Sequence, residues 1–225
     1  MIIFRKNRHG LCVLMYHHIH PVTDENESAF VVDPDVFRQQ MDGLIDGKFH
    51  IVSLDEVETA YRQKRQFPPS SVLITFDDGW ADNYTHAFPI IAEKKIPVTI
   101  FLSTALTGTE KDLLTWEQVR RMQASGRVRF ASHGAHHKRL RDLSDDEAME
   151  ELTASRNKLK KELGVEALSF CYPYGAFDRR IRRLVFKAGY IIDFGTRKGI
   201  NRCCWNARQP VKRKHVMNHQ LQVMA

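Results

Sequence analysis

Two periodicities alternate along the chain. Leu11–Tyr16, Val72–Phe76, Val98–Leu102, Val128–Ala131, Leu168–Tyr172 and Tyr190–Phe194 are short apolar runs of buried-strand length. Helical spacings lie between them. Phe37, Met41, Leu44 and Ile45 share one face, with Pro34 near the start and Gly47 past the end. Tyr84–Lys95 predicts a further helix, after which Pro97 leads into a strand. Thr115-Trp116-Glu117-Gln118 and Ser144-Asp145-Asp146-Glu147 fit capping boxes. The first of these helices should stop at Gly126, and the second should run through Met149, Leu152, Leu159 and Leu163 to Gly164. Asp178 caps a helix carrying Ile181, Leu184 and Val185. Repeated strand–helix units predict a mainly parallel sheet with right-handed crossovers. With this many units in 225 residues, the expectation is α/β: one domain spanning 1–225, built as a distorted (β/α) barrel of about seven parallel strands. No G-x-G-x-x-G or G-x-x-x-x-G-K-[ST] supports a dinucleotide or P-loop fold.

In such folds functional groups gather at the carboxyl ends of the strands, and four polar clusters fall there: Tyr16-His17-His18, Asp77-Asp78, His133-Gly134-Ala135-His136-His137 and Tyr172-Pro173-Tyr174-Gly175. Two adjacent carboxylates at the end of a buried run repel each other unless a cation or proton intervenes. Asp77-Asp78-Gly79 is therefore either a surface turn or a metal or acid/base site. His133 and His137, four apart, would face the same way on one helical turn. Two histidines and a carboxylate are a common set for a divalent metal with open positions. His136 is expected to point elsewhere.

Composition adds bounds. A net charge of +7 permits anionic partners, but the basic residues are scattered, densest at Arg179–Lys187 and Arg208–Lys214. Nothing here predicts nucleic-acid binding. Cys12, Cys171, Cys203 and Cys204 form no C-x-x-C pair. No run approaches a membrane span, and Leu11–Met15 is too short for an export-signal core. The chain as given reads as cytoplasmic; a chain trimmed of an export signal would read the same. Oligomeric state is not readable.

The set Thr-Phe-Asp-Asp-Gly, Ser-His-Gly-Ala-His-His and Tyr-Pro-Tyr-Gly, in this order, resembles the polysaccharide deacetylases with the NodB homology domain (carbohydrate esterase family four). The opening Leu-Met-Tyr-His-His-Ile resembles the subgroup of poly-N-acetylglucosamine deacetylases. The resemblance spans roughly residues 11 to 216. It implies one divalent metal, zinc first with cobalt, nickel or manganese as alternatives, held by Asp78, His133 and His137. It makes Asp77 the general base and His17 the general acid, and it implies an acetylated glycan as substrate. Tyr174, Pro173, Gly175, Trp80 and Arg213 are the candidate substrate-binding residues, with the backbone N–H of Tyr174 toward the oxyanion. Trp80, Tyr174, Phe177 and Trp116 are candidates for stacking on sugars or for core packing. Many family members carry arginine where this chain has Cys171. Arg213, in a basic run that could equally be surface, is the candidate to orient Asp77 in its place. The usual Leu-x-His is absent, and His215 and His219 are weak substitutes. The function implied is metal-dependent N-deacetylation of amino sugars. The alternatives are an O-acetyl (xylan-type) esterase and a non-catalytic glycan-binding protein on the same fold.

Overall fold

The computed structural model describes residues 2–4, 10–22, 29–201, 210–217 and 221–223. Its strands are β1 (Ile2–Phe4), β2 (Leu11–Tyr16), β3 (His18–Ile19), β4 (Val31–Val32), β5 (His50–Ile51), β6 (Ser71–Phe76), β7 (Val98–Leu102), β8 (Val128–Ser132), β9 (Ser169–Cys171), β10 (Ile192–Phe194), β11 (Lys214–His215) and β12 (Leu221–Val223). The α-helices are α1 (Pro34–Asp46), α2 (Leu54–Gln63), α3 (Phe88–Lys94), α4 (Trp116–Ala124), α5 (Asp145–Leu163) and α6 (Arg179–Lys187).

The main sheet is parallel throughout and ordered β10-β9-β8-β7-β6-β2-β11, with β5 sharing one edge of β6 with β7. β6 pairs with β2 over its whole length, from Leu11↔Ser71 to Tyr16↔Phe76. Its other edge meets β5 at Ser71–Val72 and β7 at Thr75–Phe76. The two ends of the curled sheet meet at residues 210–217: Val211 bridges Phe194 of β10, and β11 pairs with β2. The expected distorted barrel with about seven parallel strands is what the chain forms, with short β5 as an eighth. β1 pairs with β12, and β3 with β4, outside this sheet.

Alternation along the strands sorts side chains into two layers. Leu11, Val13, Leu73, Phe101, Ala131, Cys171, Ile192, Phe194 and Val211 form an inner cluster. Cys12, Leu14, Tyr16, Val72, Ile74, Phe76, Ile100, Leu102, Phe130 and Phe170 pack outward with Phe37, Met41, Val119, Leu152 and Ile181 of the helices. Leu54, Val57 and Ala60 of α2 join the inner cluster, so α2 closes the amino-terminal end of the barrel and leaves the carboxyl end open.

The helix ends follow the expected chemistry. Thr115 and Ser144 form reciprocal capping boxes with Gln118 and Glu147, and Asp178 accepts from the Ile181 N–H at 2.8 Å. Gly164, at φ 66°, ends α5. Two helical segments depart from the expectations. α2, with its Ser53/Glu56 capping box, was not read from the sequence. The helix expected over Tyr84–Lys95 is instead a wider π-type turn at Asn83–Ala87 followed by α3. Pro89 has no N–H to bond the turn before it, so it belongs in the first turn of a helix and not mid-way along one.

Candidate active site

The inner rows of the barrel end in the site. Leu11, Val13 and Met15 lead to His17; Leu73 and Thr75 lead to Asp77; Ala131 leads to His133; Val211 leads to Arg213 and His215. Period-two alternation thus aims these side chains at one another across the open rim. Asp78, next to Asp77, would point the other way on a continuing strand. Its φ of 71° turns it back toward the rim. Gly79 must follow at φ 86°, where a Cβ would stand 2.5 Å from Leu102 Cδ2.

Asp78 Oδ1 lies 3.3 Å from His133 Nε2 and 3.0 Å from His137 Nε2. Donors about 2.0–2.2 Å from a tetrahedral cation stand about 3.3 Å apart, so this triad fits a divalent metal. The fit extends one shell outward: His133 Nδ1 is 2.8 Å from the Cys171 carbonyl oxygen, which fixes the tautomer with Nε2 presented to the triad. His133 and His137 do not share a helical turn, as their spacing suggested. They sit on a loop, and Gly134 (φ 80°) and His137 (φ 55°) bend it so that both imidazoles converge. Glu151 of α5 clamps that loop, accepting from the Ala135 and His136 N–H groups at 3.1 and 2.8 Å while His136 Nδ1 lies 2.7 Å away. His136 thus faces away from the triad, as expected. Glu151 was missed, although the sequence held a signal: it falls on the apolar stripe Ala148, Leu152, Ser155, Leu159 of α5.

Two other donor groups fit a cation less well. Asp77, His133 and Cys171 share space that Arg213 already occupies. In the His18, His20, Asp82 group, both Asp82 oxygens are engaged, by His18 Nδ1 at 2.7 Å and by the Ile19 N–H and Asn83 Nδ2 at 3.2 and 2.8 Å. Asn83 Nδ2 also donates to the His17 carbonyl at 2.8 Å, fixing the backbone that carries His17.

Arg213 is fully buried and grips Asp77 with both arms, Nη1 to Oδ1 at 2.6 Å and Nη2 to Oδ2 at 2.7 Å. Its Nε donates to the Gly195 carbonyl, and Nη2 lies 2.9 Å from Cys171 Sγ. The guanidinium therefore lies against the position where many family members carry arginine. The reading of Arg213 as a surface or substrate-contacting residue is corrected: no part of it is exposed, and its donors are spent on Asp77, Gly195 and Cys171. Burial alone would raise the Asp77 pKa, but Arg213, His133 and His17 outweigh it and hold the carboxylate below its ordinary range.

His17 Nε2 stands 3.9 Å from Asp77 Oδ2, and His17 Nδ1 is buried with no hydrogen-bond partner among the described residues. Burial lowers the His17 pKa, opposed by Asp77 and Asp78. His215 packs edge-on against it with ring centroids 5.5 Å apart, and Phe30 packs 4.7 Å from both, edge-on to His17 and tilted to His215. Burial, then His17, pushes His215 down to about 4. His219 lies outside the described residues.

A cleft of about 780 Å³ opens over these groups, walled by His17, Asp77, Asp78, His133, His137 and His215 and edged by Phe30, Trp80, Tyr174 and Arg139. Two of the large apolar side chains that are exposed, Phe30 and Tyr174, lie on its rim. Tyr174, at φ 59°, is held in a turn where Gly175 has no room for a Cβ, which would lie 2.2 Å from Thr196 Oγ1. Of the other substrate candidates, Trp80 lines the cleft, donates to Asp78 Oδ2 at 3.0 Å and stacks on His18. Pro173 is buried, and neither it nor Gly175 forms a wall; they shape the turn that presents Tyr174. Phe177 stacks on Tyr172 and Trp116 packs against the outer core, so both belong to packing.

The chain belongs to the polysaccharide deacetylase family: the model of that family matches residues 64–192. It is 28% identical over 189 residues to the provisionally named polysaccharide deacetylase YxkH of Bacillus subtilis (strain 168), covering 84% of this chain and 65% of that protein. It is 29% identical over 141 residues to the poly-beta-1,6-N-acetyl-D-glucosamine N-deacetylase of Staphylococcus aureus (strain MSSA476), covering 57% of this chain and 49% of that one. The chain thus spans between about half and two thirds of the length of these curated relatives. Among solved structures it is similar to the Streptococcus pyogenes deacetylase PplD in complex with acetate, at a TM-score of 0.86 and 26% identity, covering 95% of this chain and 94% of that one.

Proposed function

We propose that the protein is a metal-dependent hydrolase that removes acetyl groups from N-acetylated amino sugars of a glycan. The observation that carries this reading is the juxtaposition of two differently held carboxylates: Asp78 faces two imidazoles at metal-ligand spacing, while Asp77 is locked by Arg213. Asp78, His133 and His137 would hold the metal, zinc by donor chemistry. When bound, that ion supplies Lewis acidity, polarising the acetyl carbonyl and making water acidic enough to be deprotonated near neutral pH.

Asp77 takes the water proton as the oxygen attacks the carbonyl carbon. Its two-armed ion pair fixes its orientation and keeps it ionised. The Tyr174 N–H, presented by its strained turn, donates to the developing oxyanion. His17, in its protonated form, donates a proton to the nitrogen as the C–N bond breaks, releasing acetate and a free amine; the proton Asp77 took from water then recharges it. An amine is a poor leaving group without that proton. Phe30, Trp80 and Tyr174 offer flat faces to sugar rings at the cleft edge.

The N-acetylglucosamine polymer named for the staphylococcal relative makes N-acetylglucosamine oligomers the first substrates to test. The leaving group separates the amide reading from the ester reading. His17→Ala should cut kcat on such an oligomer by about 10²–10⁴-fold while sparing an O-acetylated xylan oligomer, whose alkoxide leaves more easily. An equal, small loss on both would favour the esterase alternative.

A further inference from the structure

Among the described residues, Arg139 is the one arginine or lysine on the cleft wall, and no carboxylate pairs with it. It leaves the loop two residues after His137, and its guanidinium carbon sits 4.5 Å above the centroid of the Tyr174 ring. The other face of that contact chain is the site itself: the Tyr174 and His137 ring centroids are 4.6 Å apart. Arg139 and Tyr174 both line the catalytic cleft and both are exposed. Stacking on a ring held by a fixed turn limits the side chain's freedom, so less is lost when it receives a partner. Other arginines near the barrel behave differently: Arg129 meets Asp55, Arg156 meets Glu166, Arg180 meets Asp145, Arg182 meets Asp193 and Arg213 meets Asp77. The charges along the cleft wall also leave an excess. Asp77 is neutralised by Arg213, and Asp78 belongs to the metal triad, which a divalent cation would make net positive. Arg139 adds one more positive charge to this wall, on a chain whose net charge is +7.

We infer that Arg139, stacked on Tyr174, forms a subsite for an anionic substituent, a carboxylate or phosphate, carried by the glycan beside the sugar that loses its acetyl group. This rests on the deacetylase reading and narrows its substrate class from neutral to acidic N-acetylated glycans. A guanidinium matches either anion through two parallel N–H donors. Tyr174 then serves two ends, presenting its N–H to the reacting carbonyl and its ring to the cation that anchors the neighbouring sugar.

The test compares three substrates of equal length: a neutral N-acetylglucosamine oligomer, one carrying N-acetylmuramic acid as the carboxylate source, and one carrying a 6-phosphate. Metal-loaded protein and its Arg139→Gln and Arg139→Lys variants are assayed at low and high salt. The expected result is a kcat/KM ratio of acidic over neutral substrate of roughly fivefold, as for an exposed charge pair worth up to about 1 kcal/mol. The ratio should shrink at high salt, fall toward one in Arg139→Gln and be partly kept in Arg139→Lys. The carboxylate and phosphate arms show which anion is preferred. A ratio of one in the wild-type protein, or a preference that survives in Arg139→Gln, overturns the inference. Equilibrium binding of the same oligomers to the Asp77→Asn variant separates the two proposals. An acidic preference in binding without turnover of any oligomer by the wild-type protein would sink the deacetylase reading and leave the subsite standing. Turnover without preference does the reverse.

Discussion

At the scale of single residues, Arg213 carries more than its place in a basic run suggested. A buried carboxylate stripped of its partner is costly, so Arg213→Met should destabilise the protein by about 3–5 kcal/mol. In the Asp77→Asn background the same change should cost much less, since no charge is then left unpaired. Denaturant titrations of the two single variants and the double variant check this, and additive losses would show that the pair is not coupled. The sequence named Asp77 and His133 because each stands at the end of an apolar run, where alternation fixes its direction; Asp78 and His137 were named by adjacency and spacing, and positive φ angles turn them toward the rim. Arg213 and His215 were harder to place. Arg213 precedes and His215 ends a two-residue strand with no apolar run to announce it, and a sequence read locally cannot show that this strand closes a barrel begun two hundred residues earlier. Phe30, Arg139 and Glu151 were missed for a related reason: each reaches the site or its loop from a segment whose own pattern is ordinary.

At the scale of elements, strands and capped helices were legible and connecting geometry was not. The capping boxes at Thr115 and Ser144 marked their helices correctly. The box at Ser53 carried the same signal ahead of Leu54, Val57 and Ala60, and its helix proved to be the floor of the barrel. The turn from β8 into the histidine loop depends on positive φ angles and on a carboxylate from α5. Spacing alone therefore gave the right pair of histidines with the wrong backbone. Glu151 ties that loop to a long helix, and its removal should loosen the metal site without touching a ligand. Glu151→Ala is expected to weaken zinc binding by roughly tenfold, read by calorimetric titration of the metal-free protein. Unchanged affinity would mean that the loop holds its shape without α5.

For the whole molecule, the barrel concentrates titratable groups at one rim, and this links folding to pH. His215 falls to about 4 and His17 is also lowered, both chiefly by burial. A histidine whose folded pKa lies below its ordinary value near 6.5 binds fewer protons folded than unfolded across that interval. Its contribution to stability is therefore present above 6.5 and is lost as the pH falls through about 4. Metal-free protein should lose stability over this window, and His215→Phe should flatten the loss; an unchanged slope would remove His215 as its source. Asp77 acts at lower pH: its depressed pKa gives stability that is present above the ordinary carboxylate range and lost only as the pH falls through its lower folded value. The barrel and the order of its motifs were legible because they repeat; the closure by residues 210–217, which joins both edges of the sheet and delivers Arg213, was not. The central claim is that this rim hydrolyses an acetamide with the help of a metal. Its most direct test is acetate release from N-acetylglucosamine oligomers by protein as purified, stripped with chelator, and resupplied with zinc or cobalt. Release should vanish on stripping, return with metal, and stay absent in Asp78→Asn. Release that is indifferent to chelation, or none from protein that holds its metal at the triad, would contradict it.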